Sequence, residues 1–357
     1  MSGAGLFVVV NHTAARARLA WPRVREALAG AGVSFEAHES TRPGETEERT
    51  RAALRAGFGT IAAVGGDGTL SAAASGFFEP LGASDDGGLS LDDDGIPRAV
   101  NPSAVLAVLP AGTGDDFARG LTGGRRDTLE AWLDRLVAHC RRGAGSGNLE
   151  DESAALPRLT DEGGALVRRT ARRVDVLLGA VGGGARRFVC LNAATLGIGA
   201  EVAGRVAAQG ASVRRLPGEA RFALAALPRL ASWRNRRVRL SVDGRAWAEC
   251  GTNLLAVVNG TYAGGGMNFS PGASLDDGLL DVLVVCDISR PALLRELTRV
   301  HRGGHLKNPR VKLTRATHVR VETVDAADTL GVEADGDVRG NTPAEFRVMP
   351  SALRVVV

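Results

Sequence analysis

Ile61-Ala-Ala-Val-Gly65-Gly66-Asp67-Gly68-Thr69-Leu70 carries a short apolar run straight into Gly-Gly-Asp-Gly-Thr and on into a helix-compatible stretch. An apolar run of that length, ended by glycines, reads as a buried strand. Glycines let a backbone approach phosphate oxygens and turn its N–H groups toward them, and the start of the following helix adds a favourable dipole. Asp67 is suited to holding the loop or orienting a nucleotide-bound metal, and Thr69 to donating a hydrogen bond to a phosphate. The plainer reading is a glycine turn that only closes a βα unit. It suits a lone glycine pair better than this pentapeptide at a strand–helix junction, so a nucleotide phosphate site is the expectation.

A second turn of the same kind follows. The apolar residues 105–109 end in Leu109-Pro110-Ala111-Gly112-Thr113-Gly114-Asp115-Asp116-Phe117-Ala118-Arg119. In an open α/β sheet, neighbouring turns of this type share the crevice at the strands' carboxyl ends, where ligands bind. Capping of a helix by Asp115 or Asp116 is compatible with that role. Residues 6–10 form another apolar run, and 16–29 read as a helix in which Pro22 marks a break or a new start. The clearest helix spans 127–140. Leu129, Trp132, Leu133, Leu136, Val137 and Cys140 share one face, with Asp127 and Glu130 as a capping box. Short apolar strands alternating with helices predict a parallel α/β sheet.

Beyond Val174 the texture changes. Residues 174–181, 188–193, 238–242, 253–258, 279–285, 311–321 and 344–357 are strand-like, with glycine turns between them. Several neighbours leave no room for a helix, which predicts an antiparallel sandwich or barrel. Residues 218–230 and 291–302 read as helices. The expected organisation is an α/β domain over 1–140, a linker or insertion over 141–165, and a β-sandwich domain over 166–357. The last residues are free to return to the first domain. Residues 82–95 and 141–164, rich in Gly and acidic side chains, read as loops.

Composition sets outer bounds. A chain of 357 residues with 44% hydrophobic and 24% charged residues is long enough for two cores and is not a disordered composition. No apolar run reaches the ~18–20 residues of a membrane span, and the start of the chain lacks the basic, apolar pattern of a signal peptide. Cys140, Cys190, Cys250 and Cys286 are isolated, so buried free thiols in a reducing cytoplasm are expected rather than a zinc site or disulfides. Of 44 basic residues only Lys307 and Lys312 are lysine, and the net charge of +4 gives no argument for nucleic acid. Neither lysine lies in a glycine loop, which excludes a P-loop. The protein-kinase motifs are absent, and Val202 stands where a dinucleotide fingerprint after Gly197-Ile198-Gly199 wants glycine.

The two glycine loops resemble those of the diacylglycerol kinase catalytic domain, in particular of soluble bacterial lipid kinases. The resemblance continues through Asn192-Ala-Ala-Thr-Leu-Gly-Ile-Gly199, Val258-Asn-Gly-Thr-Tyr-Ala-Gly-Gly-Gly266, Pro271-Gly-Ala-Ser-Leu-Asp-Asp-Gly-Leu-Leu-Asp281 and Ala334-Asp-Gly-Asp337, in family order over nearly the whole chain. Gly-Gly-Asp-Gly-Thr alone is shared with NAD kinases and phosphofructokinases. The later motifs favour lipid kinases. The resemblance implies a phosphofructokinase- and NAD-kinase-like α/β domain, a C-terminal antiparallel β-sandwich, and ATP meeting its acceptor between them. It implies ATP contacts at Gly65, Gly66, Asp67, Gly68, Thr69, Leu70, Ser71 and Thr113, with Asn11 and Thr41 as further ones. It also implies a structural Mg²⁺ held by the Asp277 carboxylate and the carbonyls of Ser274 and Leu279, and Asp337 as proton acceptor.

Three departures stand out: His12 follows Asn11 where the family has proline, Asp115 replaces an asparagine, and Asp337 replaces a glutamate. A shorter side chain changes the reach of a general base, and Asp335 is its competitor, though turn formation ahead of Gly336 also explains that residue. Phosphoryl transfer needs cradled phosphates, neutralised charge and an oriented hydroxyl; Arg119 is placed to reach a phosphate or to be a plain helix residue.

The expected activity is therefore ATP-dependent phosphorylation of a lipid hydroxyl, most simply that of diacylglycerol, by a cytoplasmic protein peripherally associated with the membrane. The alternatives are an NAD-kinase-like enzyme for a soluble substrate and a catalytically impaired nucleotide- or lipid-binding protein. Arg205, Arg214, Arg215, Arg221, Arg229, Arg234, Arg236, Arg237 and Arg239, interleaved with Phe222, Leu224, Leu227, Leu230 and Trp233, read either as a surface for anionic headgroups or as a solvated amphipathic helix. A homodimer is left open.

Overall fold

The computed structural model describes residues 5–80, 95–143, 170–207 and 234–357. The N-terminal part alternates strand and helix: β1 (Leu6–Asn11), α1 (Ala15–Gly30), β2 (Phe35–Ser40), α2 (Glu45–Arg55), β3 (Thr60–Gly65), α3 (Asp67–Ser75), β4 (Val105–Pro110), α4 (Asp116–Leu121) and α5 (Leu129–Gly143). β2, β1, β3 and β4 pair side by side in parallel. Every residue of β3 is buried, as a strand covered by helices on both faces must be. Pro22 lies inside α1, which runs unbroken, so the expected interruption is absent. The helix read over 127–140 begins at Leu129. Thr128 caps it through the Ala131 N–H at 3.3 Å, while Asp127 pairs with Arg135 and Arg125 instead of forming a capping box.

The C-terminal part begins with β5 (Ala171–Val181), β6 (Arg186–Cys190) and β7 (Ala193–Gly197), then α6 (Ile198–Ala207), β8 (Arg236–Val242), β9 (Arg245–Thr252) and β10 (Leu254–Val258). A short hairpin, β11 (Tyr262–Ala263) and β12 (Met267–Asn268), precedes β13 (Leu280–Val285) and α7 (Arg290–Arg299). The chain finishes with β14 (Val311–Ala316), β15 (His318–Thr323), β16 (Gly331–Ala334), β17 (Asp337–Asn341) and β18 (Ala344–Val356). One antiparallel sheet has the order β14-β13-β10-β7-β16-β17. It packs against β5, β6, β8, β9, β15 and the first half of β18 through a core that includes Leu196, Leu255, Val257, Val282, Leu240, Val319 and Phe346. This is the expected sandwich. Leu254, Ala256 and Val258, the alternate residues of β10, join a second apolar layer with Leu293 of α7 and Val202 of α6. Burial on both faces explains why β10 reads as an unbroken apolar run.

β18 ties the two parts together. Its first half pairs antiparallel with β15 and β5, and near its end Arg354 and Val355 pair in parallel with Val105 and Leu106 of β4. The register shifts between Met349 and Leu353, and Ser351 has φ of 54°. This bulge turns one strand from the sandwich core, served by Phe346, to the α/β core, served by Leu353 and Val355. Cys250 and Cys286 are paired across the sandwich, with Cα atoms 5.6 Å apart, contrary to the expectation of free thiols. β9 and the residue that follows β13 bring together positions that sequence spacing keeps 36 apart.

Candidate functional site

The two glycine turns sit side by side because β3 and β4 are neighbours in parallel register, with Gly65 opposite Pro110. The Ala111 N–H donates to the Gly65 carbonyl at 2.9 Å. A Cβ on Gly112 would lie 2.6 Å from Gly66 Cα, and one on Gly66 would lie 3.1 Å from Gly112 Cα. Only glycine permits that approach. The Gly66 carbonyl accepts the N–H groups of Thr69 and Leu70, which leaves Asp67 and Gly68 at the open start of α3, where no intrahelical acceptor exists. Gly68 and Thr113 are exposed. Asn11, at the end of β1, donates to Thr69 Oγ1 at 3.2 Å and accepts from the Thr13 N–H. The structure therefore gathers Asn11, Gly65–Thr69 and Thr113 at the carboxyl ends of three adjacent strands. Leu70 and Ser71 are buried in α3; the Leu70 N–H is given to the Gly66 carbonyl, and the Ser71 hydroxyl has no hydrogen-bond partner among the described residues. Thr41 follows β2, and its N–H and hydroxyl are taken by Glu45.

Asp67 faces inward as a clamp. Its carboxylate accepts the N–H groups of Asp116 at 3.1 Å and Phe117 at 3.0 Å, capping α4 from another element, and the Asn192 amide at 3.3 Å. Burial pushes its carboxyl above the ordinary aspartate range against those bonds, and the Asp335 charge adds to the rise. Asp115 accepts the Gly112 N–H at 2.9 Å; burial, then the Asp67 charge, push it to about 6. Asp116 is buried. Its Oδ2 accepts the Gly265 N–H at 2.7 Å, while Oδ1 has no hydrogen-bond partner among the described residues. Burial and the Asp67 charge push it to about 7. Gly264, Gly265 and Gly266 all have positive φ, which lets the β11–β12 turn fold over this carboxylate. Arg119 stacks on Tyr262 with its guanidinium 3.9 Å from the ring centroid and donates to the Gly124 carbonyl. It is held as a brace between α4 and this turn, a third role beside the two expected of it.

The β16–β17 turn closes the site from the sandwich side. Asp335 accepts the backbone N–H groups of Leu191, Asn192 and Ala193 at 2.7, 3.0 and 3.3 Å, and so positions the Asn192 amide on Asp67. Its oxygens are committed. Asp337 lies two residues along, 69% exposed, with one oxygen 3.3 Å from Arg339. No hydrogen bond or ion pair joins Asp337 to either glycine loop among the described residues. Glu333 is buried beneath the turn, bonded to the Thr195 hydroxyl and the Gly336 N–H.

Asp175, which the sequence reading left without a role, links the site to the fold. It is 1% exposed. It accepts the Ser351 N–H of the β18 bulge at 2.8 Å and the Gly278 N–H at 2.7 Å. Asn259 supports the same region by donating to the carbonyls of Asp175 and Leu191, both at 2.9 Å. The turn proposed for a structural cation is thereby anchored but closed on itself. Asp277 accepts the Leu279 N–H at 3.1 Å and lies 3.6 Å from the Arg315 guanidinium, and the Ser274 hydroxyl is spent on Asp276. No group of three His, Cys, Asp or Glu side chains fit to hold a metal occurs among the described residues. The Ser274 and Leu279 carbonyls expected beside Asp277 are backbone groups, which such a side-chain cluster does not include, and Asp277 shares its charge with Arg315.

Most of the arginine-rich stretch between 204 and 240 lies outside the described residues, as do residues 81–94 and 144–169. The four whose side chains are described are paired: Arg234 and Arg236 with Asp328, and Arg237 and Arg239 with Glu249. No helix of the described residues is long and apolar enough to cross a membrane.

Comparison with known proteins agrees with this arrangement. The diacylglycerol kinase catalytic domain matches residues 5–149, and the YegS C-terminal NAD kinase β-sandwich-like domain matches residues 194–357. A protein of Pseudomonas aeruginosa named as a YegS-like lipid kinase is 30% identical over 93% of this chain and 88% of its own length. A diacylglycerol kinase of Bacillus subtilis is 25% identical over 92% of this chain and 87% of its own. A crystal structure of a Bacillus anthracis diacylglycerol kinase superposes with a TM-score of 0.62 at 18% identity, covering 99% of this chain and 96% of that one. That similarity concerns the fold.

Proposed function

The chain belongs to the diacylglycerol kinase catalytic-domain family, and from that premise we propose that it transfers the γ-phosphate of ATP to the hydroxyl of a lipid, diacylglycerol foremost, at a membrane surface. The observation that carries this reading is the interlock of the two glycine turns, Gly66 against Gly112, at the carboxyl ends of adjacent parallel strands. Backbone N–H groups at the start of α3, the Thr113 hydroxyl and Asn11 are there to receive a polyphosphate. Mg²⁺ enters this proposal as the ion of the nucleotide substrate, where it neutralises phosphate charge.

In the transfer, the lipid hydroxyl oxygen forms the new bond to the γ-phosphorus. The bond to the β–γ bridging oxygen breaks, ADP leaves, and a carboxylate takes the hydroxyl proton. Asp337 suits that last role better than Asp335. Three backbone N–H groups occupy the Asp335 oxygens, whereas Asp337 is exposed on the same turn and keeps an oxygen free of hydrogen bonds. Asp335 then acts as a positioning residue through Asn192. The peripheral location on the cytoplasmic side belongs to the same proposal, as the place where a protein with this activity meets its acceptor.

The test is a panel of acceptors in mixed micelles with ATP labelled at the γ position. Label in the organic extract that depends on diacylglycerol supports the reading. Label found only in a water-soluble acceptor such as NAD, or in no product at all, would sink it.

A further inference from the structure

The loop joining β4 to α4 carries a carboxylate where its geometry needs only an acceptor. Asp115 stands in left-handed backbone, with φ of 49°, and its Oδ1 closes the loop onto the Gly112 N–H at 2.9 Å. An amide oxygen would accept that bond equally, and asparagine tolerates the same backbone conformation. What the carboxylate adds is a negative charge.

That charge is set into the edge of the phosphate cradle, between Gly112 and the start of α4. The groups facing it come from several elements. Asp67 of α3 repels it, and Arg126, between α4 and α5, and Arg16 of α1 attract it. Asp116 adjoins it in sequence. The Arg16 guanidinium is fixed by donating to the Gly112 carbonyl at 2.8 Å. Arg126 lies against Gly266. Two arginines thus lie near enough to attract the carboxylate, without an ion pair to it among the described residues, at a place built to receive anions.

We infer that Asp115 tunes the nucleotide site, its charge opposing the incoming polyphosphate and so setting a weak affinity for the donor. This rests on the nucleotide reading of the glycine loops. A unit charge ~6 Å from a phosphate, at an effective dielectric of about 20, corresponds to roughly a hundredfold in affinity. Arg16 and Arg126 offset part of that, which leaves about tenfold.

The substitution that isolates the charge is Asp115→Asn, which retains the acceptor for Gly112. Calorimetric titration with ATP and kinetics in mixed micelles are expected to show Kd and KM for ATP about tenfold lower, with kcat changed by less than about twofold. The wild-type to variant ratio is expected to approach one at about pH 5, where the wild-type carboxyl is protonated; the ratio removes the nucleotide's own titration. Asp115→Ala serves as the comparison, because it removes charge and loop bond together and is expected to lower the melting temperature. Unchanged ATP affinity in Asp115→Asn overturns the inference, as does a joint loss of affinity and kcat, or a ratio indifferent to pH. If the wild-type protein binds no ATP, the nucleotide reading falls and the inference with it. Binding that ignores the substitution overturns the inference alone.

Discussion

Glu333 sits beneath the turn that carries Asp335 and Asp337, 9% exposed, with its carboxyl oxygens on the Thr195 hydroxyl and the Gly336 N–H. Burial, with the Asp335 charge adding, pushes this carboxyl from about 4.5 to about 7 against the pull of those two bonds. The folded chain therefore binds the Glu333 proton more tightly than the unfolded chain. Stability is lost as pH rises from about 4.5 to about 7, and the full cost is present above that range. At about 1.4 kcal/mol per pH unit, the span corresponds to ~3 kcal/mol. Glu333→Gln keeps an oxygen for Gly336 and offers an N–H to Thr195 Oγ1, but never ionises. Urea denaturation is expected to give a variant within about 1 kcal/mol of wild type at about pH 5 and more stable by roughly 2–3 kcal/mol at about pH 8. A variant less stable at the higher pH, or a difference that ignores pH, would refute the reasoning. The first would mean that the turn binds the ionised form, the second that folding leaves the carboxyl's proton affinity unchanged.

Other expectations follow from the same geometry. Gly112→Ala places a Cβ 2.6 Å from Gly66 Cα, so the loops must separate; ATP affinity measured by calorimetry is expected to fall by more than tenfold, on the order of 1.4 kcal/mol or more. Asp175→Ala strands the buried N–H groups of Ser351 and Gly278, a loss of about 2–4 kcal/mol that urea unfolding reads, with faster amide exchange at the β18 bulge as its local signature. Asp337→Asn is expected to lower kcat about a hundredfold while leaving ATP affinity intact; full activity in that variant would remove Asp337 from the mechanism.

The parts of the site legible in the sequence are those written locally. Gly65–Thr69 and Gly112–Asp116 declare themselves because strand, turn and helix are contiguous, β10 because burial on both faces makes its residues apolar throughout, and β13 because all but Asp281 are apolar. β2 escaped notice because Phe35–Ser40 is an edge strand in which only Ser40 is buried, and β9 because Arg245–Thr252 carries charge on its exposed positions. The clamps were invisible for a different reason. Asp67 reaches Asn192 across 125 positions, and Asp175 reaches Ser351 across 176, distances at which no spacing rule operates. The same holds for the Cys250–Cys286 pair, which forms because two strands of opposite sheets face each other. The motif Asn192-Ala-Ala-Thr was visible, but that Asn192 links the β16–β17 turn to the first glycine loop follows only from the fold. Likewise, residues 344–357 read as a strand, while the flip at Ser351 that lets it serve two cores depends on Asp175.

The central claim is that the interlocked glycine loops deliver phosphate from ATP to a lipid hydroxyl. Its most direct test is the transfer of γ-labelled phosphate by the purified full chain to diacylglycerol in mixed micelles, resolved by chromatography of the organic extract. The account predicts a labelled lipid product that requires ATP and diverges from background in proportion to enzyme, and that Gly112→Ala abolishes. Undiminished ATP binding with no labelled lipid, or label confined to a water-soluble acceptor, would contradict it.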